Sequence, residues 1–179
     1  SRAAIKVFKH NDMQDLERVL RKSISEGQPR THRPWRKIVV IVEGLYSMEG
    51  TIVRLPEILA LKARYKFYLM VDEAHSIGAL GPRGRGVCDF FGVDPAEVDI
   101  LMGTFTKSFG AAGGYMAGSA ELVRHFKQHG FAHVYAEPMP PPVIQQVLTS
   151  MRIIMGEDGT GEGQRRLEAI FNNSVYFMR

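Results

Sequence analysis

The chain has 179 residues, 45% of them hydrophobic and 23% charged, with a formal net charge of +4. That apolar content suffices for one packed core, and no polar low-complexity tract argues for disorder. The modest charge, with no second basic stripe, argues against a nucleic-acid partner.

Ala3-Ala4-Ile5-Lys6-Val7-Phe8 reads as a strand at the very start of the chain, and the stretch from Phe171 to Arg179 stops inside a helical pattern. Both ends read as cuts in a longer protein. Asn11 or Asp12 then caps a helix in which Met13, Leu16, Val19, Leu20 and Ile24 recur at helical spacing, until Gly27 and Pro29 end it. The basic stretch Arg30-Thr31-His32-Arg33-Pro34-Trp35-Arg36-Lys37 follows. It reads as a solvated loop entering a strand, with a contact to a CoA or lipid phosphate left open.

Ile38-Val39-Val40-Ile41-Val42 is a continuous β-branched run, the pattern of a strand buried on both faces of a parallel sheet. Pro56 opens a helix that runs to Tyr65, and Phe67-Tyr68-Leu69-Met70-Val71 is the next strand, which completes a β-α-β unit. From Gly78 to Gly92, five glycines and Pro82 mark an irregular excursion. Val98-Asp99-Ile100-Leu101-Met102 resumes as a strand, and Gly113 to Gly118 is a short glycine-rich one ahead of a helix from Ala120 to Gln128. The prolines from Pro138 to Pro142 break the chain. Val143, Val147, Met151 and Ile154 then share a helical face, and Gly156, Gly159, Gly161 and Gly163 interrupt before the last helix. Cys88 is the single cysteine, so no intrachain disulfide forms, and this usage fits a reducing compartment. The longest apolar runs are too short to span a bilayer, so any membrane anchor lies outside this chain.

In open α/β sheets ligands lie beyond the carboxyl ends of the strands, so residues just after each apolar run are the ones that can meet. Three sets qualify: Glu43 to Ser47, Asp72 to His75, and Thr104 to Lys107. Neighbouring strands lie about 4.8 Å apart, so these sets fall within the span of one cofactor ring. Lys107, in the hydroxyl- and glycine-rich stretch Gly103-Thr104-Phe105-Thr106-Lys107-Ser108-Phe109-Gly110, is positioned as an amine that can form a Schiff base with pyridoxal 5'-phosphate (PLP). That chemistry predicts a buried amine. Asp72 follows five apolar residues, a costly place for a charge unless it is paired, and a pyridinium would be its partner. His75 can meet a cofactor oxygen or move protons, while Ser47 and Thr104 are turn hydroxyls suited to a phosphate or phenolic oxygen.

Taken singly, each of these residues has an ordinary alternative as a cap, a turn former or a surface side chain. Asp72-Glu73-Ala74-His75 also spells a helicase-type box, but the chain holds no G-x-x-x-x-G-K-[ST] phosphate loop, and Thr106 precedes Lys107 where that motif needs glycine. The histidines give no metal-ligand spacing with Cys88, and no G-x-S-x-G elbow occurs, so zinc and serine-hydrolase chemistry drop out.

Four segments together carry a specific likeness: Glu43-Gly44-Leu45-Tyr46-Ser47-Met48-Glu49-Gly50, Asp72-Glu73-Ala74-His75-Ser76-Ile77-Gly78, Gly84-Arg85-Gly86, and Gly103 to Gly110. In order and across nearly the whole chain, they resemble the α-oxoamine synthases, PLP enzymes that condense an amino acid with an acyl-CoA and release CO₂. The resemblance implies the large domain of a fold-type I PLP-dependent transferase, an α/β fold with a mixed, mostly parallel sheet flanked by helices. Residues 1–155 would be part of that domain, and 156–179 the start of the connection to a truncated C-terminal small domain.

Within the family, Val7-Phe8-Lys9-His10-Asn11, the loop from Pro29 to Lys37 and Ile52-Val53-Arg54-Leu55-Pro56 are most similar to the members that use L-serine and palmitoyl-CoA. By that resemblance Lys107 is the internal aldimine lysine and proton carrier, Asp72 pairs with the pyridinium, His75 and Ser47 contact the phenolic side, and Thr104 contacts the phosphate. It also implies a heterodimer with a similar but noncatalytic subunit that lacks the lysine. The same resemblance implies work at the cytosolic face of the endoplasmic reticulum membrane, with membrane contact through segments outside this chain. Relatives that use glycine or alanine are the first alternative; an NTPase built on the DEAH sequence or a noncatalytic scaffold subunit are those of a different class. One departure stands out: Glu137-Pro138 follow Tyr135-Ala136 where the family has a Thr-Ser pair that reaches the neighbouring subunit's phosphate.

Overall fold

The computed structural model describes residues 3–178. Helix α1, Met13–Glu26, begins where Asp12 caps it by accepting from Asp15 N, and ends where Gly27 takes φ 67°. Its apolar side, Met13, Leu16 and Leu20, is buried. Strand β1, Val39–Glu43, leads to a small antiparallel hairpin of β2, Leu45–Tyr46, and β3, Thr51–Ile52. Helix α2, Leu55–Tyr65, starts with Pro56 in its first turn and returns the chain to β4, Tyr68–Asp72. Helix α3, Val87–Phe91, strand β5, Ile100–Thr104, and strand β6, Gly114–Gly118, follow. Four helices complete the chain: α4, Ala120–His129; α5, Phe131–Tyr135; α6, Pro141–Met155; and α7, Glu162–Phe177.

The main sheet has the order β1-β4-β5-β6. β1, β4 and β5 run parallel, with Glu43 opposite Asp72 and Asp72 opposite Met102, while β6 is antiparallel to β5. The sheet is therefore mixed and mostly parallel, flanked by helices, as expected. The parallel register brings the carboxyl ends of three strands to one edge, which is the condition for a ligand site there.

One core lies between this sheet and helices α1, α2 and α3, built on Leu16, Leu55, Ile58, Leu69, Val71 and Val87. A second, smaller cluster of Phe105, Phe109 and Val147 joins the lysine turn to α6.

Three expectations need correction. Ala3–Phe8 is irregular rather than a strand: Ile5 and Val7 face solvent, and among the described residues the segment joins neither sheet. The run Ile38–Val42 is buried on one face only, because Val39 and Ile41, like Tyr68 on β4, are exposed while Val40 and Val42 enter the core. Continuous apolar composition does not distinguish these cases; only a second covering layer would. The excursion from Gly78 to Gly92 is not wholly irregular, since α3 forms within it, begun at Gly86 and ended by Gly92. The basic loop does stay on the surface, docked to α1 by Trp35 Nε1 donating to Ser23 O at 2.8 Å.

Candidate active site

The lysine turn follows directly from β5. Phe105 N donates to Gly113 O, Ala111 N donates back to Phe105 O, and Gly110 N donates to Lys107 O, with Gly110 at φ 58°. Phe105 and Phe109 point inward and pack edge to face at 5.3 Å. From α6, Ser150 Oγ donates to Phe109 O at 3.0 Å and Gln146 Nε2 donates to the same carbonyl at 3.3 Å. With both aromatics committed to the interior, Thr106, Lys107 and Ser108 are left on the outer side of the turn.

At the neighbouring tip, β4 ends in Asp72, whose Oδ1 accepts from Ala74 N at 2.8 Å. The turn that follows is fastened by Ser76 N and Ile77 N, both donating to Glu73 O. It carries His75 to the lysine: Lys107 Nζ lies 2.6 Å from His75 Nε2. Gly78 permits this approach. At φ 76° it occupies the left-handed region, and a Cβ there would stand 2.5 Å from Ser108 Cβ.

Thr104, the last residue of β5, ties down its own turn. Its Oγ1 donates to Gly113 O at 3.1 Å, accepts from Thr106 N at 3.2 Å and meets Thr106 Oγ1 at 2.8 Å. Ser47 stands on the exposed turn between β2 and β3 and makes no hydrogen bond to the Lys107–His75 pair. The hairpin beneath it is held from the N-terminal segment. His10 packs edge-on against Tyr46 at 4.4 Å and bonds Thr51 Oγ1 at 2.8 Å, while Asn11 Nδ2 donates to Ile52 O at 3.0 Å.

Of the residues expected to act together, Lys107 and His75 are in direct contact, and Asp72 and Thr104 end adjacent parallel strands at the same edge. Lys107 is exposed, not buried as expected, because both of its neighbours face outward and only the flanking phenylalanines are drawn into the core.

Two groups at this edge were not singled out from the sequence. Tyr115 on β6 covers Gly103 on β5, where a Cβ would lie 2.5 Å from the tyrosine ring. Burial, with the nearby Glu73 and Asp72 carboxylates adding to it, pushes its phenol up to about 12. The other group is Glu73, 2% exposed, whose carboxylate accepts from Ser76 Oγ and from Val87 N.

Burial holds the Glu73 carboxyl above its ordinary value of 4.5, against the lowering effect of the Ser76 and Val87 bonds. Such a group binds its proton more tightly when folded, so its contribution to stability is fully present below 4.5 and is lost as the pH rises through the folded value. Glu73→Gln carries no charge at any pH. Relative to wild type its thermal midpoint is expected to rise as the pH increases above 4.5, and a relative fall on that side would contradict the burial argument.

The family model for aminotransferase class I and II matches residues 1–177, and the chain belongs to that family. Serine palmitoyltransferase 3 of Homo sapiens is 57% identical over 177 residues, which are 99% of this chain and 32% of the relative. Serine palmitoyltransferase 2 of Dictyostelium discoideum is 58% identical over 173 residues, 97% of this chain and 35% of the relative. Among solved structures, a serine palmitoyltransferase from S. paucimobilis with PLP and myriocin bound is similar at 32% identity, with a TM-score of 0.71 over 84% of this chain and 35% of that one. The chain thus spans about a third of the length of the relatives it matches. The likeness to the α-oxoamine synthases read from the motifs is borne out.

Proposed function

We propose that this chain is the cofactor-binding portion of the catalytic subunit of a PLP-dependent serine palmitoyltransferase. The reaction joins L-serine to palmitoyl-CoA and yields 3-ketodihydrosphinganine, CoA and CO₂. The observation that carries the proposal is the contact of Lys107 Nζ with His75 Nε2 at the strand edge where Asp72 and Thr104 also end.

The residues present fit PLP. An exposed amine in reach of an imidazole suits its aldehyde, the carboxylate at the tip of β4 suits its pyridine nitrogen, and the hydroxyls of Thr106 and, once turned from Gly113 O, of Thr104 suit its phosphate. When bound, PLP supplies an electron-accepting ring next to the reacting carbon of the amino acid. Lys107 Nζ would hold the aldehyde carbon, give it up to serine and carry the proton taken from serine's α-carbon. His75, hydrogen-bonded to that amine, would orient it and meet the phenolic oxygen together with Ser47. Asp72 would keep the ring nitrogen protonated, as an adjacent negative charge favours the cationic form.

The second subunit of the proposed heterodimer is the similar, noncatalytic one. In that arrangement Glu137, exposed between α5 and α6, faces a site that holds no cofactor, where a carboxylate does no harm. Work at the cytosolic face of the endoplasmic reticulum membrane is proposed on the same resemblance. Contact with the bilayer through segments outside this chain is proposed on that resemblance as well; among the described residues no helix is long and apolar enough to cross a membrane.

The test is a product assay on the full-length protein with its partner subunit, offering serine, glycine and alanine against several acyl-CoAs. Serine with palmitoyl-CoA is expected to give the 3-keto product at the highest kcat/KM. Preference for glycine or alanine would move the chain to another α-oxoamine synthase. ATP turnover without any keto product would replace the proposal with an NTPase, and no turnover of either kind would leave a scaffold subunit.

A further inference from the structure

We infer that Glu73 is a positioning residue: by tying the turn that carries His75, through Ser76, to the backbone at Val87, it sets the reach of His75 toward Lys107. Asp72 and Glu73 are consecutive at the end of a strand, so their side chains leave on opposite faces. Asp72 stays partly accessible at the site edge, and Glu73 turns into the interior.

There Glu73 meets Ser76, which is fully buried, and both of its oxygens lie 3.1 Å from Val87 N at the start of α3. Two glycines leave it room. A Cβ at Gly86 would stand 2.5 Å from Glu73 Oε2, and one at Gly44, just after β1, would stand 2.5 Å from Ser76 Oγ and 3.0 Å from Glu73 Oε2. The segments after β1 and β4 and the loop before α3 therefore converge on this one buried carboxyl group.

A buried carboxyl without a cationic partner is a poor way to stabilise a core, since an apolar side chain of the same size would do as well or better. What it provides is direction. Its bonds close the turn of residues 73–76 through Ser76 and tie it to the start of α3 at Val87, and His75 sits within that stretch. A slip of the turn by about 1 Å would take the imidazole out of hydrogen-bond range of the lysine amine, a displacement large enough to cost on the order of a hundredfold in a positioned reaction. That consequence for catalysis rests on the proposed PLP function; the packing does not.

The test uses the full-length protein. Ser76→Ala removes the hydroxyl that joins the carboxyl to the His75 turn, adds no bulk and leaves the Glu73–Val87 bonds in place. In the cofactor-free protein, modification of His75 by diethyl pyrocarbonate, followed by mass spectrometry, is expected to speed up at least about threefold in Ser76→Ala, because a loosened turn exposes the ring. PLP affinity is expected to fall about tenfold in Ser76→Ala, yet to change less than about twofold when the same substitution is made in a His75→Ala background, the non-additivity expected of a residue acting through another. Glu73→Gln, which can still bond Val87 N and Ser76, is expected to stay within about threefold of wild type in both measurements.

Unchanged His75 reactivity, equal losses in both backgrounds, or a Glu73→Gln loss as large as that of Ser76→Ala would each overturn the positioning role. If wild-type protein takes up no PLP, the proposed function fails, while His75 reactivity still decides whether Glu73 positions it.

Discussion

Lys107→Ala in the full-length protein is expected to reduce product formation on the order of a thousandfold or more and to remove the absorption band near the visible edge that marks lysine-bound PLP. The magnitude follows from the double duty proposed for one atom. In the proposed function Nζ would be both the covalent tether of the cofactor and the carrier of a proton, and loss of a residue that acts as nucleophile removes a whole pathway rather than one contact. Stability should change little. Lys107 is exposed, its turn is held by Phe105, Phe109 and bonds from α6, and exposed substitutions away from such features fall within about 0.5 kcal/mol. A variant with unchanged thermal midpoint and lost turnover is therefore the expected pairing. Retained turnover would remove Lys107 from the chemistry altogether.

The second large effect is expected at Asp72. Asp72→Asn preserves size and can still accept from Ala74 N, but it removes the charge that would hold a proton on the pyridine nitrogen. Loss of a charged hydrogen-bond partner costs about 1.5–3 kcal/mol, on the order of tenfold to a hundredfold in rate at about 1.4 kcal/mol per tenfold. The loss should fall mainly on kcat, since the pairing matters most when the ring accepts electrons, and less on the affinity for palmitoyl-CoA. A loss confined to the KM for the acyl donor would contradict the assignment.

The strand tips were legible in the sequence because apolar runs of the right length ended in polar residues at three places. In the structure those ends share one edge through the parallel pairing of β1, β4 and β5. The lysine turn was legible for a related reason: hydroxyls and glycines flank an amine at a strand end. Its exposure was not, because only the contacts of Phe105 and Phe109 reveal that the pair takes the inner side of the turn.

Glu73 was hidden by its neighbours. An acid beside Asp72 reads as one more polar residue of a motif, and its partner Val87 lies fourteen positions away on another segment. The hairpin under Ser47 was out of reach in the same way, since His10 and Thr51 meet across forty-one positions. Ala3–Phe8 and Ile38–Val42 show the opposite failure. Composition reports β-branched content, but it cannot say whether a pairing strand or a second covering layer is present.

The measurement that bears most directly on the whole account is borohydride reduction of the full-length protein with PLP, followed by peptide mass spectrometry. A pyridoxyl group fixed on Lys107, and absent when His75 and Asp72 are both replaced by alanine, is the expected result. Labelling spread over other lysines with Lys107 unmodified would contradict it.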